Sequence, residues 1–222
     1  MFDHLRRHLG LAATALLCLA MSGLSHAHPH GWIDLRMRLV VNDEGHLTGL
    51  HQSWRMDPFY SLVVLEELGQ AGGDGGLEAA LDQLGSEIRD NLVSYGYYTE
   101  LTLAGEKLGF DEVSDYTVLE RGGRVEFIFL LPLSEPLPLA GQTLRYQVFD
   151  PTYYIEMVHE EENRVPADDA LLVGGELACE ARIHQPNPDP ELVMRAAMLD
   201  VDDEAEPGLG RHFAETGEVA CR

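Results

Sequence analysis

The chain has 222 residues and a formal net charge of −23, with 38 acidic side chains against 15 lysines and arginines. So negative a surface repels phosphate groups, and the charge therefore excludes nucleic acids and anionic lipid surfaces as partners. Either the acidity attracts divalent cations or it is an adaptation to salt. Because the acids are spread along the chain, composition alone does not locate a metal site.

The first 27 residues have the pattern of a cleavable secretory signal. Arg6 and Arg7 supply the basic start, Leu9–Met21 is apolar, and Ser25-His26-Ala27 places small residues before the cut. The apolar run is shorter than the roughly 20 residues that span a bilayer. We therefore expect cleavage after Ala27 and a single periplasmic domain over 28–222, not inserted in the membrane. Cleavage removes two arginines and one aspartate, so the net charge becomes −24.

Two strands joined by a turn are predicted next, over residues 31–41 and 46–57. Along the first strand apolar and polar residues alternate, which is typical of a strand with one buried face. A two-residue turn at Glu44-Gly45 pairs residues whose numbers sum to 89, and this register buries the apolar faces of both strands together. It also places Asp34 opposite Arg55, a charge complement that supports the register.

Helices are predicted to interrupt the strands. Asp57-Pro58 ends the second strand, and the apolar residues 59–68 indicate a helix. A glycine-rich linker over 69–76 precedes helical spacing at 77–95. The sequence thus predicts a helical insertion near 58–95.

The remainder is predicted to be mainly strands. They cover 97–103, 115–120, 124–131, 143–149, 153–159 and 176–184, with Pro132, Pro136 and Pro138 marking loops or sheet edges. A helix over 190–201 and a short helix over 211–216 precede a terminal strand. We therefore predict an α+β fold, a β-sandwich-like domain of about eight strands with a helical insertion.

The cysteines predict one disulfide. Cys18 leaves with the signal, and Cys179 and Cys221 remain in an oxidising compartment where they can pair. A bridge closing a loop of about 40 residues stabilises by roughly 3–4 kcal/mol. The alternative is two free buried thiols. The pair lacks the CxxC spacing that would indicate zinc ligation.

The new N-terminus is a candidate metal site. Cleavage after Ala27 gives His28 a free amine beside its imidazole, and His30 projects to the same side of an extended chain. These nitrogens suit zinc, nickel, cobalt or copper. A known square-planar copper and nickel motif also has histidine third, but it needs a second-residue N–H, which Pro29 lacks. A bidentate His28 together with His30 remains.

The predicted register supplies a neighbour for this site. It places Trp32 opposite Asp57, so Asp57 is a diagonal neighbour of His30. His51 lies about 20 Å along the sheet and is not a partner. Asp150, in an acidic turn after a strand, is a further candidate ligand. The alternative is that the N-terminal histidines form a solvated arm, that Asp57 only caps the following helix and that Asp150 is structural.

Other motifs add little. His159 and His184 are single histidines, which are more often surface or satisfied core residues than ligands. There is no nucleophile elbow and no phosphate-binding glycine loop. Hydrolase and nucleotide-binding functions therefore have no support in the sequence.

Taken together, several short motifs resemble a known family. They are His28-Pro29-His30-Gly31-Trp32-Ile33-Asp34, Trp54-Arg55-Met56-Asp57-Pro58-Phe59-Tyr60, Asn91-Leu92, Tyr95, Tyr97-Tyr98-Thr99-Glu100 and Asp150-Pro151-Thr152-Tyr153-Tyr154-Ile155-Glu156. The chain resembles the domain of unknown function 1007 family, exported bacterial proteins described as the periplasmic component of an uncharacterised ABC-type transport system. The resemblance covers essentially the whole mature chain. Members commonly occur beside nickel/cobalt-type transporters, which implies a role in transition-metal handling. Many members carry a calcium-loop-like segment that is degraded here at Gln70–Gly76, which argues against calcium.

The leading hypothesis from the sequence is a non-enzymatic periplasmic accessory protein that binds a divalent transition metal and serves an inner-membrane metal transporter. His28 and His30 are the core ligands, Asp57 is next, and Asp150 is a distant fourth.

Two alternatives remain. One is a partner-binding module without metal, whose surface is an aromatic cluster of Tyr95, Tyr97, Tyr98, Tyr153 and Tyr154; its binding to a transporter would survive chelation. The other is a copper oxidase built on an N-terminal histidine brace, which would turn over with a reductant.

Overall fold

A computed structural model of the chain describes residues 29–71, 75–199, 203 and 205–222. The predicted signal over 1–27 and the candidate ligand His28 lie outside the described residues. None of the helices in this part of the chain is long and apolar enough to cross a bilayer.

The described residues form thirteen strands and three α-helices. In chain order they are β1 (Gly31–Val41), β2 (His46–Met56), α1 (Pro58–Ala71), α2 (Gly76–Leu92), β3 (Thr99–Leu103), β4 (Glu106–Lys107), β5 (Asp115–Arg121), β6 (Arg124–Pro138), β7 (Thr143–Val148), β8 (Ile155–His159), β9 (Glu161–Glu162), β10 (Val165–Pro166), β11 (Leu171–Val173), β12 (Cys179–His184), α3 (Pro190–Met198) and β13 (Thr216–Cys221). Short 3₁₀ helices follow α2 (Val93–Tyr98) and precede β13 (Leu209–Phe213).

Two sheets enclose one hydrophobic core. The larger sheet has the order β11-β1-β2-β6-β5, with β8 beside the first half of β1, and the smaller has the order β12-β13-β7-β3-β4. Buried side chains of both sheets, among them Leu35, Phe127, Leu101 and Leu144, belong to the same core. The prediction of an α+β, β-sandwich-like domain with a helical insertion is confirmed.

The register predicted for β1 and β2 is confirmed. Ile33 pairs with Met56 and Asp34 with Arg55, so paired residue numbers sum to 89 along most of the ladder. The alternation of β1 is also as predicted, because its apolar residues are the buried ones.

The predicted two-residue turn is wrong, although the register is right. Asn42 pairs with His46, since its N–H donates to the His46 carbonyl at 2.9 Å, and Gly45 ends a three-residue turn at a left-handed φ of 78°. That turn alone would shift the β1–β2 register by one residue. A bulge between Val40 and Val41 restores it, so that the apolar faces of both strands still reach the core.

The limits of β6 and α2 also differ from the prediction, and four short strands among the described residues were not predicted. The strand β6 continues through Pro132, which pairs with Gly49 and accepts a hydrogen bond from Asp111 through its carbonyl. The helix α2 ends at Leu92 rather than Tyr95, because the 3₁₀ segment that follows turns through left-handed backbone at Gly96. The strands that the sequence did not reveal are two or three residues long, too short to show alternation.

The predicted disulfide joins β12 to β13. Cys179 and Cys221 are directly opposite each other in the antiparallel ladder, with their Cα atoms 4.0 Å apart and 42 positions separating them in sequence. The bridge therefore ties the last strand, and the C-terminus with it, to the edge strand of the smaller sheet.

Candidate functional site

A groove of about 570 Å³ lies where β1 begins, between α1 and the turn before β8. We refer to it as the N-terminal groove. Its lining residues are His30, Gly31, Trp32, Ile33, Met56, Asp57, Phe59, Tyr60, Val63, Tyr154 and Ile155. Two of the predicted metal ligands, His30 and Asp57, therefore share one cavity.

The position of α1 on one side of the groove follows from its first turn. Asp57 precedes the helix, and its Oδ1 accepts the backbone N–H groups of Phe59 and Tyr60, each at 2.9 Å. A carboxylate in this position satisfies two of the free donors of the helix terminus and is favoured by the helix dipole. One turn later the buried Ser61 accepts the Val125 N–H at 3.1 Å, which fixes α1 to β6.

His30 occupies the opposite rim. It is exposed, its backbone N–H donates to the Tyr154 carbonyl at 2.9 Å, and its ring lies 4.5 Å from the ring of Tyr154. The parallel pairing of β1 with β8 begins one residue later, at Gly31 and Ile155. The first described residues are thus held against the turn before β8 and are not a detached arm.

The second carboxylate oxygen of Asp57 faces the backbone beside His30. A Cβ on residue 31 would stand 2.9 Å from Asp57 Oδ2, so only glycine leaves room for this carboxylate. The Asp57 N–H also donates to the Trp32 carbonyl at 3.0 Å, as the predicted pairing requires. Asp57 is therefore a helix cap through Oδ1 and a groove-lining group through Oδ2.

A methyl group at residue 31 is expected to displace Asp57 and weaken the cap. We expect Gly31→Ala to lower the free energy of unfolding by about 1–2 kcal/mol, measured by urea denaturation. Gly109→Ala is the control, because its Cβ would meet the nearest atom, Ser134 Oγ, at an ordinary 3.5 Å. The cost should disappear when Gly31→Ala is made in an Asp57→Ala background; a cost that persists there would contradict this explanation.

Asp150 lies outside the residues that line the groove, in the turn that carries Tyr154. Its Oδ1 accepts the N–H and the hydroxyl of Thr152 at 2.9 and 2.8 Å, and its Oδ2 accepts the Ile155 N–H at 3.1 Å. Both oxygens thus support the turn that presents the Tyr154 carbonyl to His30. Asp150 acts on the candidate site through this turn.

His30 and Asp57 are the ligand candidates in the described part of the groove. Within the described residues no three His, Cys, Asp or Glu side chains are grouped so that they could hold a metal ion. An imidazole and a carboxylate are suitable donors for a divalent transition metal. The further donors predicted for this site, the amine and imidazole of His28, lie outside the described residues.

The five tyrosines of the predicted aromatic cluster have different environments. Tyr97 and Tyr153 are buried, and Tyr153 stacks on Phe213 at 4.2 Å. Tyr95 is exposed next to Tyr98, which is half-buried beside Trp54, and burial raises the pKa of Tyr98 to about 12. Tyr154 lies at the N-terminal groove.

A buried polar network beside the groove was not predicted. His159 Nδ1 lies 2.7 Å from Glu215 Oε2, and the Tyr146 hydroxyl lies 2.6 Å from His159 Nε2. The backbone N–H of His159 also donates to Glu215, and Gln185 donates to its other oxygen. His159 is thus a satisfied core residue, one of the two environments expected for a single histidine.

The network keeps its glutamate charged. Burial would raise the pKa of Glu215, but the hydrogen bonds from His159 and Gln185 and the interaction with the imidazole outweigh it and leave the pKa below its ordinary value. Burial raises the pKa of Tyr146 well above its ordinary value, so the phenol stays protonated. The hydrogen-bonding requirements of all three side chains are met when the ionised Glu215 accepts the Nδ1–H of His159 and the Tyr146 hydroxyl donates to Nε2.

The family described as "Protein of unknown function (DUF1007)" matches residues 13–221. An uncharacterized protein of Haemophilus influenzae is 28% identical over 198 residues, which cover 88% of this chain and 91% of the relative. The crystal structure of AChBP from Bulinus truncatus matches 89% of this chain and 90% of its own with 8% identity and a TM-score of 0.29, too low to carry an argument.

Proposed function

This chain belongs to the DUF1007 family, and we propose that it is an exported, non-enzymatic protein that binds a divalent transition metal at the N-terminal groove. The observation that carries the proposal is the placement of His30 and Asp57. They lie on either side of Gly31 and line one cavity, and residue 31 has no side chain that would separate the Asp57 carboxylate from the backbone beside His30.

The metal would be zinc, nickel, cobalt or copper, since nitrogen donors dominate the proposed ligand set. After cleavage behind Ala27, His28 supplies its α-amine and imidazole, and His30 follows two residues later. Asp57 Oδ2 supplies the oxygen donor while Oδ1 remains on the helix. The Asp150 turn holds the carbonyl that fixes the His30 backbone, which makes Asp150 a positioning residue for the site.

The bound metal would pass to or from a transporter in the inner membrane, for which this chain is an accessory protein. The support for this step is the resemblance to the periplasmic component of an ABC-type transport system. A metal held at the exposed rim of a groove can be exchanged with a partner, whereas a metal in a closed structural site is retained.

Metal titration of the exported protein tests the site. Isothermal titration with zinc, nickel, cobalt and copper should show one site, and the double variant His28→Ala, His30→Ala should lose it. Asp57→Asn should weaken binding and leave the fold intact, because its amide oxygen can still cap α1. The matched control is His51→Ala with His184→Ala, which removes two exposed imidazoles remote from the groove.

The amine of His28 provides a second test. Mass spectrometry should find His28 as the first residue of the periplasmic protein, and an added residue before His28 should weaken binding because the amine is no longer next to its imidazole. Equal affinity in the wild type and the double histidine variant would contradict the metal site.

A further inference from the structure

The helix α1 has an apolar face that is largely exposed among the described residues. Its inner face, at positions 61, 64, 65 and 68, packs on the core. The outer face is formed by Phe59, Tyr60, Leu62 and Val63, and Phe59 and Leu62 are 78% and 63% exposed. A lone exposed apolar residue is ordinary, but four on two turns of one helix mark an interaction surface.

The outer face continues into the N-terminal groove. Phe59, Tyr60 and Val63 line the groove together with Met56 and Tyr154, and the groove is mainly apolar around them. The two features therefore form one surface, which we call the α1 surface.

An acidic pocket adjoins the α1 surface across Trp32. Trp32 is 38% exposed and lines both the groove and this second cavity of about 310 Å³. The other lining residues are Asp34, Arg55, Val158, His159, Glu160, Glu161, Gln185 and Glu215. The lining therefore contains four carboxylates and the guanidinium of Arg55, and the indole of Trp32 lies at the boundary with the groove.

The charges of the acidic pocket are partly unmatched. Glu160 is bound by Arg55 at 2.5 Å and also by Arg36, and Asp34 is bound by Arg55 and Arg124. Glu161 is exposed and has no ion-pair partner among the residues that the structure describes. An exposed carboxylate that shares a cavity with an indole is a suitable environment for a lysine or arginine side chain.

We propose that the α1 surface binds a protein segment in which an apolar run ends in lysine or arginine. The apolar side chains would pack on the outer face of α1 and in the groove, and the cation would reach across Trp32 into the acidic pocket. The net charge of the chain argues for a basic occupant. Two copies of so acidic a protein repel each other, and an anionic lipid surface also repels the protein.

This inference deepens the transporter part of the proposed function by naming the kind of segment that would dock, and it does not need a bound metal. The two can fail separately. Docking is measured with a chelator present and no metal, whereas the metal site is measured without any peptide.

Tryptophan fluorescence is a direct readout of docking. The chain has two tryptophans, and Trp54 is buried at 2% exposure, so a change in emission on binding reports Trp32. The probes are short synthetic peptides with a Leu/Phe/Val run ending in Arg-Lys, and the same peptides ending in Glu-Asp. With EDTA present, the basic peptides should shift the emission to shorter wavelength and saturate, and the acidic peptides should not.

Matched variants locate the contact. Phe59→Ser with Leu62→Ser should weaken binding of the basic peptides by roughly tenfold, whereas Met198→Ser, which removes an equally exposed apolar side chain on α3, should leave it unchanged. Glu161→Gln should reduce the preference for basic over acidic peptides. Its control is Glu162→Gln, the next residue of β9, which lies outside the acidic pocket.

Three results would overturn the proposal. The first is the absence of an emission shift with every basic peptide, and the second is equal binding of basic and acidic peptides. The third is a different occupant: a dimer in sedimentation that Phe59→Ser with Leu62→Ser abolishes, or binding to phosphatidylcholine vesicles that the same variant abolishes.

Discussion

Replacing Glu215 with alanine is expected to lower the free energy of unfolding by about 3–5 kcal/mol, since each buried donor left without an acceptor costs about 1–3 kcal/mol. Glu215 and His159 are 4% and 2% exposed, and Glu215 accepts from both the ring and the backbone N–H of His159. Its removal leaves the ring and backbone donors of His159 buried without an acceptor. The loss of an acceptor for a buried donor costs more than the hydrogen bond itself contributes.

Glu215→Gln separates the hydrogen bonds from the charge. The amide oxygen can still accept from His159, so we expect a smaller loss than in Glu215→Ala. Glu218→Gln, three residues later on β13, is the control, because Glu218 pairs with Arg145 at the surface and its substitution should leave the urea midpoint unchanged. A Glu215→Ala protein as stable as Glu218→Gln would contradict the role assigned to the network.

The same network makes the free energy of unfolding depend on pH. The pKa of Glu215 is lower in the folded protein than its ordinary value of 4.5. A group with a depressed folded pKa contributes its stability above the unfolded pKa and loses it as the pH falls through the folded pKa. The difference in unfolding free energy between the wild type and Glu215→Gln should therefore be constant from neutral pH to about pH 5 and shrink at lower pH. A difference that stays constant down to about pH 3 would contradict the depressed pKa.

Removing the disulfide is the second large effect. The double variant Cys179→Ser, Cys221→Ser is expected to lose about 4 kcal/mol of unfolding free energy, because the bridge closes a loop with a sequence separation of 42. The strands themselves remain paired from Cys179–Cys221 to His184–Thr216. The expected loss of stability therefore comes from the unfolded chain, which gains conformational freedom when positions 179 and 221 are no longer linked.

Reductant serves as the control for this prediction. Dithiothreitol should shift the urea midpoint of the wild type towards that of the double variant and should not affect the double variant itself. Similar unfolding free energies for the oxidised wild type and the double variant would mean that other contacts hold β13 without the bridge.

The sequence by itself determined those features that depend on local periodicity or on simple pairing rules. The strict alternation along β1 set its buried face, and burial of both apolar faces set the odd sum of the β1–β2 register. That register held even though the turn has three residues, because a bulge is less costly than turning a whole apolar face to solvent. The two cysteines that remain after the predicted signal were sufficient to predict the bridge.

Contacts between distant segments required the tertiary structure. Glu215 and His159 are 56 residues apart, and no local pattern marks them as partners. The parallel pairing of β8 beside β1 brings Tyr154 to His30, and that pairing reflects the packing of the whole sheet. The sequence showed α1 to be apolar, but which of its faces would remain outside depended on where Ser61 docked against β6.

The sequence likewise predicted only part of the candidate site. The local register predicted that Asp57 and His30 would be close, because pairing in a hairpin follows from the position of one turn. The structure decided that Asp57 Oδ1 caps α1 while Oδ2 faces the groove, and that both oxygens of Asp150 are committed to its own turn. Hydrogen bonds from backbone groups two to five residues away determine which carboxylate oxygens remain available to a ligand, and the residue pattern alone does not give the geometry of those bonds.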